Sequence, residues 1–208
     1  MNKYTAEFYG TFLLLLAIVS TEMLMRSIDA PPYLTLLTIA ASASAILYCN
    51  ITLFMKVSGS HFNPAVSLMM YIRGNLSLRD FSYYTLMQIL GGVMGVFAAH
   101  LMFAEPAFSI SVIDRSANNI ILGEFIATIG LLIVIIHGDR FSPDKLPALV
   151  GTYILAATFF TSSTCFANPA VSISRIFTNS PVGIDAASLV CFLLVEFLAV
   201  FIVSKSIE

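Results

Sequence analysis

The sequence predicts an all-α membrane protein, with six transmembrane helices plus two re-entrant half-helices in an inverted repeat. Three observations carry that reading. Of the 208 residues, 58% are hydrophobic and only 11% are charged, with a mean hydropathy of +0.91, whereas soluble domains are about 45–50% apolar and about 25% charged. Six runs are long and apolar enough to cross a bilayer. Finally, one five-residue stretch occurs twice, as Asn63-Pro64-Ala65-Val66-Ser67 and as Asn168-Pro169-Ala170-Val171-Ser172, each time just after an apolar run.

A spanning helix needs about 20 predominantly apolar residues, and the runs 4–25, 34–55, 81–103, 119–137, 146–163 and 186–205 meet that need. The opening Met1-Asn2-Lys3-Tyr4 leads into a run that contains Glu7 and lacks a small-residue cleavage site, so the first span reads as retained. Turn-forming clusters separate the runs, among them Asp29-Ala30-Pro31-Pro32, Glu105-Pro106, Ser142-Pro143-Asp144 and Asn179-Ser180-Pro181. Residues 61–73 and 166–177 are too short to cross and too apolar for ordinary loops. Each fits a re-entrant half-span that starts at a Pro and is capped by the Asn before it.

Each half then holds three spans with a half-span between the second and third, about 4–103 and 119–205 within a single domain 1–208. Ala6-Glu7-Phe8 and Gly123-Glu124-Phe125 recur at matching places. Because three is odd, the second copy runs upside down, an arrangement in which interrupted helices mark a permeation site near the midplane. Counting Lys and Arg places both termini in the cytoplasm: Lys3, Lys56, Arg73, Arg79, Arg140, Lys145 and Lys205 fall inside, and Arg26, Arg115 and Arg175 outside.

The formal net charge of -2 comes with no basic stripe, which excludes a nucleic-acid partner. Cys49, Cys165 and Cys191 are odd in number and scattered, so neither a disulfide framework nor metal-ligand spacing is present, and no cofactor or metal is expected. The first amides of a Pro-started helix are unpaired and carry a positive partial charge. Two such ends meeting at the midplane, each with an Asn amide beside it, make a throat that admits neutral polar molecules and opposes cations.

These residues resemble the aquaporins and aquaglyceroporins, the major intrinsic proteins. The likeness covers essentially the whole chain through Ala6-Glu7-Phe8-Tyr9-Gly10-Thr11, Ser58-Gly59-Ser60-His61-Phe62, Gln88-Ile89-Leu90-Gly91-Gly92 and the two Asn-Pro-Ala copies. The resemblance implies a passive pore in each protomer of a homotetramer in a bacterial-type inner membrane, with Asn63 and Asn168 hydrogen-bonding solutes in single file. It implies that Glu7 and Glu124 accept hydrogen bonds from the backbone of the re-entrant loops and that His61 shapes the cytoplasmic vestibule, where a structural hydrogen bond is favoured over a pH gate.

Selectivity in this family is set at an outer constriction of four positions. Counting back from each Asn carries these over to Ala43, Ala156 and Cys165, and the residue after the second Asn-Pro-Ala is Val171. Water-selective members resemble one another in placing an aromatic, a His, a small residue and an Arg there. Here the Arg is lost, which implies a wider, more apolar passage for bulkier neutral solutes. The run Cys165-Phe166-Ala167-Asn168-Pro169-Ala170-Val171, with Arg175 nearby, looks most like the bacterial branch associated with arsenic resistance, so metalloid hydroxides such as arsenite join glycerol and water as expected solutes.

Other residues have quieter readings. Glu196 stands where a Gln matching Gln88 is expected and reads as a protonated structural group. Arg175, seven residues after Asn168, is placed about 10 Å outward along a helix, where a salt bridge or snorkelling at the interface is favoured over restoring positive charge in the outer vestibule. Cys165 is expected to line the mouth of the pore; Cys49 and Cys191 are expected to be inert. The alternatives to a broad neutral-solute channel are the same fold used mainly for water, and a proton-coupled transporter using Glu7, Glu124 or Glu196. No Ser, His and Asp spacing suggests an enzyme.

Overall fold

The computed structural model describes residues 1–206, so the last two residues of the expected 1–208 domain lie outside it. The chain folds into helices α1 (Lys3–Ser27), α2 (Pro32–Ser58), α3 (Pro64–Ile72), α4 (Leu78–Met102), α5 (Asn118–Phe141), α6 (Leu146–Phe160), α7 (Pro169–Ser174) and α8 (Ala186–Ser206). No strand occurs among the described residues. Local chemistry starts and stops these elements. Asn2 caps α1 by accepting from Thr5 N at 2.9 Å, and Ser77 caps α4 by accepting from Asp80 N at 3.0 Å. Pro32 and Pro64 occupy first-turn positions, and α2 ends at Gly59, whose φ of 83° makes a left-handed cap.

Helices α1, α2, α4, α5 and α8 are long and apolar enough to cross a membrane. The fifth expected span is the exception in length. A 3-10 turn at Pro143–Lys145 leads into the 15-residue α6, which stops at Phe160 instead of reaching residue 163. The chain turns extended at Thr161, with φ -105° and ψ 140°, and starts its return toward the midplane from there.

The two halves pack alike. Helix α1 lies against α2 and α4, as α5 lies against α6 and α8. The half-helices exchange partners: α3 touches α8 and α7 touches α4, and the two half-helices also touch each other. Close approach of α1 to α4 depends on Gly91 and Gly95, since a Cβ at either position would collide with the carbonyl oxygens of Phe8 and Phe12. A Lys3–Asp80 ion pair at 2.8 Å ties the starts of α1 and α4 at one end, and an Arg26–Glu105 pair at 2.9 Å ties their far ends. Leu53, Leu101, Leu122 and Leu194 are exposed on the outside while Glu7, Asn50, Gln88, Glu124 and Glu196 are buried. That inside-out polarity suits a hydrocarbon solvent.

Candidate functional site

A cavity of about 310 Å³ runs between the halves. Its walls come from stripes at helical spacing. Helix α2 contributes Leu36, Ala40, Ala43, Leu47, Ile51 and Met55; α6 contributes Leu146, Val150, Ile154 and Thr158. Leu14 and Ile18 of α1 face in, as do Leu131, Ile135 and Asp139 of α5. From Leu36 to Met55 a helix rises about 28 Å, close to the thickness of a bilayer core. The lining therefore continues from one face to the other.

Asn63 and Asn168 meet midway along it. Each caps its own half-helix: Asn63 Oδ1 accepts from Ala65 N at 2.8 Å, and Asn168 Oδ1 accepts from Ala170 N at 3.0 Å and Val171 N at 3.4 Å. Each also reaches across. Asn63 Nδ2 donates to Ala167 O at 2.7 Å, and Asn168 Nδ2 donates to Phe62 O at 2.9 Å. An Asn amide has two N–H groups, so one on each residue is spent on this exchange and one is left for a guest in the cavity.

The loops leading to both Asn residues are strained. Ser60, Phe62, Thr164, Cys165 and Ala167 all have φ between 46° and 62°, a left-handed region that costs a non-Gly residue about 1–2 kcal/mol. Two buried carboxylates hold these loops. Glu7 Oε1 accepts from Ser58 Oγ at 2.5 Å and His61 N at 3.0 Å, and Glu7 Oε2 accepts from Phe62 N at 2.6 Å and Gln88 Nε2 at 2.8 Å. Glu124 accepts from Phe166 N at 3.2 Å and also from Ala167 N. The correspondence extends to Thr11 and Thr128, which donate to the carbonyls of Glu7 and Glu124, both at 2.9 Å.

Where Gln88 bridges Glu7 and Ser67, Glu196 bridges the Asn168 backbone and Ser172. Gln88 Nε2 lies 3.0 Å from Ser67 Oγ. Glu196 Oε1 accepts from Ser172 Oγ at 2.9 Å and Asn168 N at 3.0 Å. His61 lines the inner part of the cavity, with its Nδ1 3.0 Å from Ser67 Oγ and its ring edge-on to Tyr84.

Of the four counted filter positions, Ala43, Cys165 and Val171 line the cavity and are at most 7% exposed. Ala156 does not: it is exposed on the outer side of α6, and Ile154 and Thr158 face in instead. Counting back from Asn168 thus lands on a residue of α6 that faces away from the cavity. Thr158, two residues on, was not singled out; its pattern with Ile154, Val150 and Leu146 is the signal that finds it.

Arg175 also departs from expectation. Helix α7 ends at Ser174, and a 3-10 turn at Arg175–Phe177 swings the side chain inward. Arg175 is 5% exposed, lines the cavity and donates from Nε to Val182 O. Its guanidinium carbon lies 3.5 Å from the centre of the Phe166 ring, and that of Arg115 lies 5.0 Å from the same point. No salt bridge to Arg175 occurs among the described residues. Cys49 is exposed and Cys191 half-buried, both outside the cavity lining.

Comparison with known proteins agrees with this architecture. The profile of the family described as MIP, Major intrinsic protein, matches residues 1–203. The chain is 40% identical to the aquaglyceroporin AqpS of Rhizobium meliloti over 95% of its own length and 84% of that protein. It is 30% identical to an aquaglyceroporin of Toxoplasma gondii, over 95% of this chain and 74% of that one. Its fold superposes on the crystal structure of the aquaglyceroporin from Plasmodium falciparum with a TM-score of 0.80 at 21% identity, covering 98% of this chain and 93% of that one. Matched over nearly its whole length, with two capped half-helices meeting in one cavity, the chain belongs to the major intrinsic protein family.

Proposed function

We propose that the protein is a passive transmembrane channel for small uncharged solutes, passing glycerol-type polyols and metalloid hydroxides such as arsenite together with water. The observation that carries this is the lining: a bore of apolar side chains from Leu36 to Met55, with polar groups gathered at Asn63 and Asn168 and toward the two ends. Such a bore strips no charge from a neutral solute and offers an ion nothing to replace its hydration. The aquaglyceroporin relatives support the polyol part; the metalloid part rests on resemblance around Cys165 and Val171.

The outer constriction is formed by Ala43, Thr158, Cys165 and Val171, with Thr158 in the place first counted to Ala156. All four are small or medium side chains without charge. Asn63, Pro64 and Ala65 with Asn168, Pro169 and Ala170 form the throat, and Glu7 and Glu124 keep its loops in place. The active assembly is a homotetramer in a bacterial inner membrane with both termini cytoplasmic, and no covalent chemistry is catalysed.

Proteoliposomes given osmotic steps of sucrose, glycerol or urea test this by light scattering. Rapid glycerol and urea entry over empty vesicles is the expected result; water entry alone would mean a water channel with its constriction elsewhere. Flux that follows a pH gradient would instead indicate a proton-coupled transporter. Cys165 gives a second handle, because its thiol lines the cavity while Cys49 and Cys191 do not. A mercurial is expected to block glycerol entry, and Cys165→Ser to restore it; a block that persists in the variant would remove Cys165 from the passage.

A further inference from the structure

Resting on the channel reading, we propose that the outer end of the cavity is a dibasic subsite, built by Arg115 and Arg175 around Phe166, that binds small carboxylate-type monoanions. Both residues line the cavity. Their carbons stand 5.0 and 3.5 Å from one ring centre, so they lie no farther apart than those two distances end to end. Neither takes part in an ion pair among the described residues.

A buried cation without a counter-charge is costly, and Arg175 is 5% exposed. Its hydrogen-bond partner is the Val182 carbonyl. Arg115 donates from Nε to Gly183 O at 2.8 Å and from Nη2 to Pro181 O at 2.7 Å. A guanidinium has five N–H donors, so both forks keep donors unspent. Glu124 is committed to the amides of Phe166 and Ala167. Asp114 is engaged with Ser116 N and Ser188 Oγ. The missing counter-charge is therefore supplied from the cavity.

The loop frame holds the pair in register. Ser109 N and Ser111 N donate to Phe177 O and Ile176 O, and Asp185 N donates to Ile113 O, which lays the segment before α5 along the segment after α7. Two planar forks gathered at one ring match the paired oxygens of a carboxylate. Deeper in the cavity stand Val171, Ala43, Leu47 and Ile154, which offer an anion no replacement for water. The anion is held at the mouth and does not cross, so its occupancy slows neutral solutes passing the same point.

Glycerol entry into proteoliposomes would be followed in sodium glycolate and in equal sodium chloride, with the salt on both sides at neutral pH. The readout is each protein's own ratio of the two rates, whatever its rate in chloride. In wild type glycolate slows entry in a saturable manner. Arg175→Gln and Arg115→Gln raise the glycolate concentration needed by about tenfold or more, the scale of losing a fork to a buried anion, while Arg175→Lys loses less. Should Arg175→Gln fail to fold, Arg115→Gln and Arg175→Lys carry the same ratio. A wild type indifferent to glycolate, or variants slowed at the same concentrations, overturns the subsite. A wild type that passes no glycerol in chloride overturns the channel reading itself.

Discussion

Val171→Arg is expected to cut glycerol and urea entry by about tenfold or more, a rise of about 1.4 kcal/mol in the barrier, while water entry survives. Val171 follows the second Asn-Pro-Ala directly, is 3% exposed and faces the cavity. A guanidinium there adds length and a fixed positive charge opposite Ala43, and neither neighbouring wall can retreat, because α2 and α6 are packed against each other. Water needs less width than a polyol and can hydrogen-bond the new donors. Arg175 lies one turn further along, so the added charge also meets an existing one. Light scattering with glycerol and sucrose steps measures the split. Equal loss of water and glycerol would indicate a collapsed passage, and unchanged glycerol entry would place the constriction away from Val171.

Glu7→Ala is expected to abolish the folded protein. The carboxylate serves four donors, Ser58 Oγ, His61 N, Phe62 N and Gln88 Nε2. Leaving a buried donor unsatisfied costs about 1–3 kcal/mol, so four of them approach the whole stability of a typical fold, about 5–15 kcal/mol. The left-handed Ser60 and Phe62 would lose their restraint at the same time. Glu7→Gln keeps one acceptor oxygen and is expected to fold with a lowered thermal midpoint. Size-exclusion profiles in detergent separate the outcomes: an aggregate for Ala and a shifted but folded species for Gln. A folded, fully active Ala variant would show that helix packing alone holds the loop.

The throat was legible in the sequence because its chemistry is written out twice. Pro fixes the start of each half-helix and Asn supplies the cap, and Glu7 and Glu124 stand at corresponding places in apolar runs, their loop-holding role following from the family resemblance. Helix stripes such as Leu146, Val150, Ile154 and Thr158 were equally open to reading. Register across the second loop was not. Left-handed Thr164, Cys165 and Ala167 carry none of the Gly or Asn signals that mark such steps, and counting from Asn168 lands on the exposed Ala156 and not on the cavity-lining Thr158. Arg175 was hidden for a related reason: a straight helix carries it outward, and only the end of α7 at Ser174 turns it onto Phe166.

The crossed amides of Asn63 and Asn168 also bear on how the protein is made. Each side chain finds its acceptor on the opposite repeat, at Ala167 and at Phe62. A nascent chain that has emerged only as far as α4 therefore holds an Asn63 amide and a Phe62 carbonyl with no mate, and hydrocarbon supplies none. Residue order puts Ala167 and Asn168 about a hundred residues after Phe62 and Asn63, so the crossed bonds form only once the second repeat has been made. Midplane closure therefore needs both repeats, and the first repeat alone leaves these groups unpaired.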